Sequence, residues 1–171
     1  MGAVMEGSRS AGSEASPAAQ GATVEFPSCA WLMEPVDVFV SEVAKGAGFD
    51  FDTAQDIQIA VHEAVINAIV HGNGDDPSRR VRLRVASTAA GLEVRVQDQG
   101  RGFDPEAVPD PLATDNLCRP CGRGIFFMRL LMDEVTFRPA ADGGTEVILR
   151  KRRERPAARR PTPVAVAASC A

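Results

Sequence analysis

No run of apolar residues in this 171-residue chain is long enough to cross a bilayer. Residues 1–20 are rich in Ala, Gly and Ser and lack the basic start and apolar stretch of a secretory signal. Basic charge is not in excess. Lys and Arg number 19 against 23 Asp and Glu, a formal net charge of −4, which argues against the basic footprint of non-specific nucleic-acid binding. The four cysteines, Cys29, Cys118, Cys121 and Cys170, are dispersed, which argues against a disulfide framework. No internal repeat is present. The expectation is a cytoplasmic protein with no membrane segment and no direct nucleic-acid contact.

What remains is ordinary globular material. The chain is 44% hydrophobic and 25% charged, enough to build one core. Residues 1–21 are poor in apolar bulk and are expected to be a disordered tail. Residues 151–171 open with the basic run KRRERPAARR and continue Pro- and Ala-rich; they are expected to be a solvated, disordered tail. A single domain is expected over residues 22–150.

Two periodicities alternate within that span. Residues 23–26 suit a short edge strand. Val36, Phe39, Val40 and Val43 recur at helical spacing within 35–47, with Pro35 suited to a first turn. Asp52 or Thr53 can cap a longer helix that runs to His71 and closes at Gly72. Val81, Leu83 and Val85 alternate with arginines, and Leu92, Val94 and Val96 alternate with polar residues, so each set predicts a half-buried strand. Residues 100–122 lack periodicity and predict a long loop, a length usual for functional lids. A helix over 125–132 and a hairpin of strands 134–138 and 145–150 complete the order. This is an α+β arrangement: a two-layer sandwich with a mainly antiparallel, mixed sheet and helices on one face.

Four short features carry polar chemistry. Glu63, Asn67 and His71 fall at i, i+4 and i+8 in HEAVINAIVHGN and line one helix face. The rest of that helix is apolar nearly all round, which predicts burial, and a buried carboxylate and amide need partners. A solvated polar stripe is the equally good alternative. Second, DQGRGFD follows a strand, with Asp98 at its end and Gly100 and Gly102 permitting close approach; an ordinary Gly-rich turn reads the same. Third, GRGIFFM opens a helix at Gly122, Arg123 and Gly124, where free amides and the helix dipole favour phosphate. A plain loop-to-helix junction is its alternative. Fourth, Thr145 starts the strand of GGTEVILR and can place a hydroxyl near a bound base, or simply begin a hairpin strand.

In order and spacing the four together resemble the N, G1 and G2 boxes of the GHKL, or histidine-kinase-like, ATPase superfamily. The resemblance is greatest to its small anti-sigma-factor serine/threonine kinases and covers nearly all of 22–150. It implies the Bergerat fold, and ATP with Mg²⁺ as nucleotide and metal. Glu63 matches the general base and Asn67 the magnesium ligand. His71, Gly72 and Asn73 close the N box, with Asn73 expected to support the phosphates. Asp98 matches the reader of the adenine amino group, with Gly100 and Gly102 as the G1 glycines. Gly122 and Gly124 match the G2 glycines beside the phosphates, with Arg123 as a phosphate contact, and Thr145 matches the late Thr near adenine. Residues 103–121 would be the lid. The resemblance further implies phosphorylation of a serine on an anti-anti-sigma (STAS-type) partner, sequestration of a sigma factor, and a homodimer. One departure weighs against catalysis: many relatives carry an Arg near the start of the first helix, whereas residues 29–40 read CAWLMEPVDVFV. A non-catalytic, ATP-dependent binding module is therefore the alternative. The CRPC of residues 118–121 is a single pair, weak as a zinc signature.

Overall fold

The computed structural model describes residues 20–102, 123–141 and 143–153. The expected lid, Gly122, Cys118, Cys121 and Cys170 lie outside the described residues, as does most of each expected tail.

The chain begins with strand β1 (Gln20–Pro27), a 3₁₀ turn (Ala30–Leu32) and helix α1 (Met33–Gly46). Helix α2 (Phe51–Asn67) runs directly into a π-helical turn (Ala68–Gly72). Then come β2 (Arg80–Thr88), β3 (Gly91–Gln97), α3 (Arg123–Leu131), β4 (Glu134–Pro139) and β5 (Thr145–Arg152). β1 takes in Gln20 and Gly21, and β5 takes in Lys151 and Arg152, residues that the sequence assigned to the flanking tails.

The strands form one sheet in the order β1-β2-β3-β5-β4, and all four pairings are antiparallel. Alternation sets its two faces. Val81, Leu83 and Val85 of β2, Leu92, Val94 and Val96 of β3, and Val147 and Leu149 of β5 enter the core. They meet Val36, Val40 and Ala44 of α1, Ile57, Val61 and Val65 of α2, and Met128 of α3. The opposite face is charged and laced with ion pairs: Arg82 with Glu25, Glu93 with both Arg95 and Arg150, Arg150 with Glu134, and Arg138 with Glu146. This is an α+β two-layer sandwich with its helices on one face.

The α2 cap is Asp50, before the expected Asp52 or Thr53. Asp50 is the residue whose backbone is extended (ψ 173°), and its Oδ1 accepts from the Thr53 amide at 2.7 Å. Strand register gives the molecule two poles. Gln20, Ser87 and the pair Gly91–Arg152 lie at one. The end of β3, the start of β5 and the start of β2 lie at the other.

Candidate nucleotide site

Helix α2 carries Glu63 and Asn67 one turn apart, toward the start of α3. A Cβ on Gly124 would come within 2.6 Å of Glu63 Oε2 and 3.3 Å of Asn67 Nδ2. The first turn of α3 therefore packs over the Glu63–Asn67 pair, and a side chain at that position would have to displace the end of Glu63. Both polar residues are half-buried, because α2 keeps a solvent-facing side on which Ile59 is 46% exposed. The expected burial all round does not occur: α1 and α3 flank α2 without covering it.

The π-helical turn follows. The Asn73 amide donates to the Ala68 carbonyl at 2.8 Å, and the Asp75 amide to the Ile69 carbonyl at 2.9 Å. Such turns occur often at functional sites. His71 lies within it, exposed, and its side chain bonds to none of the described residues. Gly72 stands against Asp98: a Cβ there would overlap the Asp98 carboxyl group, 2.7 Å from Oδ2.

Asp98 is the most enclosed carboxylate of the site, 4% exposed. Its Oδ1 accepts from the Gly100 amide at 2.7 Å and the Thr145 amide at 3.1 Å. Its own amide donates to the Thr145 carbonyl at 3.0 Å. Burial raises the Asp98 carboxyl above its ordinary range, against the pull of the two amide bonds and of Arg79. Glycine crowds it on three sides. A Cβ on Gly100 would collide with the Gly72 carbonyl, and one on Gly144 would overlap Asp98 itself. Gly144 also holds a left-handed backbone (φ 82°), which a side chain would strain. Gly102 is left-handed too (φ 77°), and its nearest neighbour across the site is the Gly144 carbonyl at 3.6 Å from a built Cβ.

The structure thus brings Asp98, Gly72, Gly100, Gly102 and Thr145 together at one end, and Glu63, Asn67 and Gly124 together beside α2. Arg123 is the exposed first residue of α3. Asn73 departs from its expected role toward phosphate. It is 2% exposed and spends both ends of its amide on the chain's own backbone, at Arg80 and Gln99. Two contributors were missed from sequence, Gln99 and Gly144. Gly144 had a signal, a double glycine before a buried Thr, but it read equally well as a hairpin turn.

The donor set fits a purine nucleotide. A carboxylate oxygen flanked by glycine backbone can accept from a base amine, and amides in the first turn of a helix favour phosphate. Glu63 and Asn67 offer oxygen ligands beside that turn. Among the described residues no three His, Cys, Asp or Glu side chains gather as a metal cage. Magnesium on phosphates asks for only one or two side chains.

The histidine kinase-like ATPase domain family matches residues 27–151. The serine-protein kinase RsbW of Bacillus velezensis is 33% identical over 122 residues, spanning 68% of this chain and 75% of that protein. RsbW of Bacillus licheniformis is 34% identical over 124 residues, 66% and 72% of the two chains. RsbW of Listeria monocytogenes is 31% identical over 118 residues, 66% and 74%. Among solved structures, the RsbU and RsbW domains of Rv1364c from Mycobacterium tuberculosis superpose with a TM-score of 0.57 at 21% identity. That match covers 78% of this chain and 32% of the other, and it is a likeness of fold.

Proposed function

The chain belongs to the histidine kinase-like ATPase family, within its anti-sigma serine-protein kinase branch, and from that premise we propose that it binds ATP and transfers the terminal phosphoryl group to a serine of an anti-anti-sigma (STAS-type) partner. In the same reading it sequesters a sigma factor when that partner is unavailable, works as a homodimer, and does so in the cytoplasm. The domain, expected over residues 22–150, is taken to extend to the outer ends of β1 and β5, Gln20 and Arg152. The observation that carries the reading is the seating of Gly124 on Glu63 and Asn67. It gathers a base, a metal ligand and a helix N-terminus, three elements that phosphoryl transfer uses.

The roles follow from chemistry and position. Asp98 accepts from the adenine amino group, with Gly72, Gly100, Gly102 and Thr145 shaping the slot around it. Gly122, Arg123 and Gly124 serve the phosphates, and His71 lies at the mouth. Asn67 holds magnesium, which when bound offsets charge on the phosphates. Glu63 accepts the proton of the incoming serine hydroxyl, and Gly124 leaves room for it to do so. Transfer of labelled phosphate from ATP to a STAS-type acceptor, abolished by Glu63→Ala, tests this. No transfer to any such acceptor, with ATP still bound, would sink the kinase half of the reading.

One observation favours a second reading, a partner switch that binds ATP without catalysis. Helix α1 contains no Arg, and its Asp37 accepts a hydrogen bond from, or donates one to, His62 Nδ1 at 2.9 Å, on the residue next to Glu63. Partner capture that depends on ATP, with no phosphorylated product, is the outcome this reading expects.

A further inference from the structure

Three segments are tied together behind Asp98. Asn73 Nδ2 donates to the Arg80 carbonyl at 3.1 Å, and Asn73 Oδ1 accepts from the Gln99 amide at 2.8 Å. The Gln99 side chain returns to the start of β2, where its Oε1 accepts from the Arg80 amide at 2.7 Å. The three bonds form a closed ring. It joins the residue after the π-helical turn, the first residue of β2, and the residue between Asp98 and Gly100. A buried amide used at both ends is specific in shape, because its donor and acceptor cannot exchange places. Loss of one partner leaves the other unsatisfied.

The ring controls the neighbours of Asp98 on two sides. Gln99 precedes Gly100, whose amide holds Oδ1 at 2.7 Å. Asn73 follows Gly72, whose backbone stands against Oδ2. Fixing Asn73 and Gln99 therefore fixes both the donor on one carboxylate oxygen and the wall beside the other. We infer that Asn73, with Gln99, is a positioning residue for base selectivity, aiming the Asp98 carboxylate at the amino group of adenine without touching the nucleotide. The inference rests on the ATP reading above and adds to it the determinant of which purine is taken. Guanine presents a carbonyl oxygen where adenine presents its amine, so a well-aimed carboxylate rejects it and a loosened one does so less.

The test compares Mg-ATP with Mg-GTP binding by calorimetry, on the full chain and on Asn73→Ala, Gln99→Ala and Asp98→Asn, with thermal melts to establish folding. The unaltered chain is expected to prefer ATP. Asn73→Ala should shrink the ATP-to-GTP affinity ratio about tenfold, and Gln99→Ala, which removes an exposed side chain and one bond of the ring, about threefold. A merely structural role would weaken both nucleotides in proportion and leave the ratio alone. An unchanged ratio in Gln99→Ala, and in Asn73→Ala if it folds, overturns the inference while the ATP reading stands. Failure of the unaltered chain to bind ATP overturns both, whereas binding ATP with no preference over GTP overturns the inference alone.

Discussion

At the scale of single residues, two substitutions separate the site's chemistry from its cost. Asp98 is buried with its carboxyl raised above the ordinary range. A raised carboxyl binds its proton more tightly in the folded chain than in the unfolded one. Stability is therefore lost as pH rises from the ordinary carboxylate value through the raised one, and the loss is complete above it. Asp98→Asn keeps an acceptor for the Gly100 and Thr145 amides and removes that charge. Melting of the nucleotide-free variant should match or exceed that of the unaltered protein, with the gap widening as pH rises from the ordinary carboxylate value through the raised one, while ATP binding is lost. A variant that melts lower at neutral pH would contradict this account. Gly124→Ala makes the complementary case. The atom it meets first is the end of the flexible Glu63 side chain, which can swing away. An added helix former contributes up to about 1 kcal/mol, so the melting temperature should hold while phosphoryl transfer falls at least about tenfold. Equal activity in that variant would show that Glu63 is not the base.

At the scale of elements, α2 is the part on which the site depends. It presents Glu63 and Asn67, and its π-helical end delivers Gly72 to Asp98 and Asn73 to the ring behind it. Asp50→Ala removes its cap and should lower the melting temperature by a few degrees while leaving ATP affinity unchanged, since the capped end lies roughly five turns from Asn67. Differential scanning calorimetry beside a binding isotherm checks both halves. Much of this architecture was legible in the sequence. The arginines of β2 interleaved with Val81, Leu83 and Val85 announce a strand with one wet face, and the spacing of Val36 and Val40 announces α1. The cap was harder to read, because Asp50, Asp52 and Thr53 are all suitable acceptors and only the extended backbone at Asp50 decides among them. The π-helical turn has no counterpart in the pattern of AIVHG, whose residues suit an α-helix as well. Contacts between distant segments were the least legible. That Asn73 serves Arg80 and Gln99, and that Gly144 must clear Asp98, become visible only once β3 and β5 are side by side.

At the scale of the whole molecule, the sheet's outer face and the nucleotide each contribute to holding the fold together. Burial alone would raise the Glu93 carboxyl, but the bonds from Arg150 and Arg95 outweigh it and hold it below the ordinary range. A depressed carboxyl stabilises above its unfolded value and loses that contribution as pH falls through the folded one. Glu93→Gln should therefore cost about 1 kcal/mol at neutral pH and nothing once the medium is acid enough to protonate Glu93, as urea melts at the two pH values would report. Nucleotide acts on the same equilibrium by mass action. Mg-ATP at a hundred times its dissociation constant should add about 2.7 kcal/mol of stability, and Asp98→Asn should abolish the gain.

The two poles bear on how the protein is handled and joined to other things. The described chain enters at Gln20 and leaves at Arg153, both at the pole opposite Asp98 and Thr145. A seven-residue strand such as β3 separates the poles by roughly 20 Å. A fluorescent reporter or a surface tether placed where the described chain enters or leaves, at Gln20 or Arg153, is therefore anchored away from Asp98, on the far side of the sheet's length.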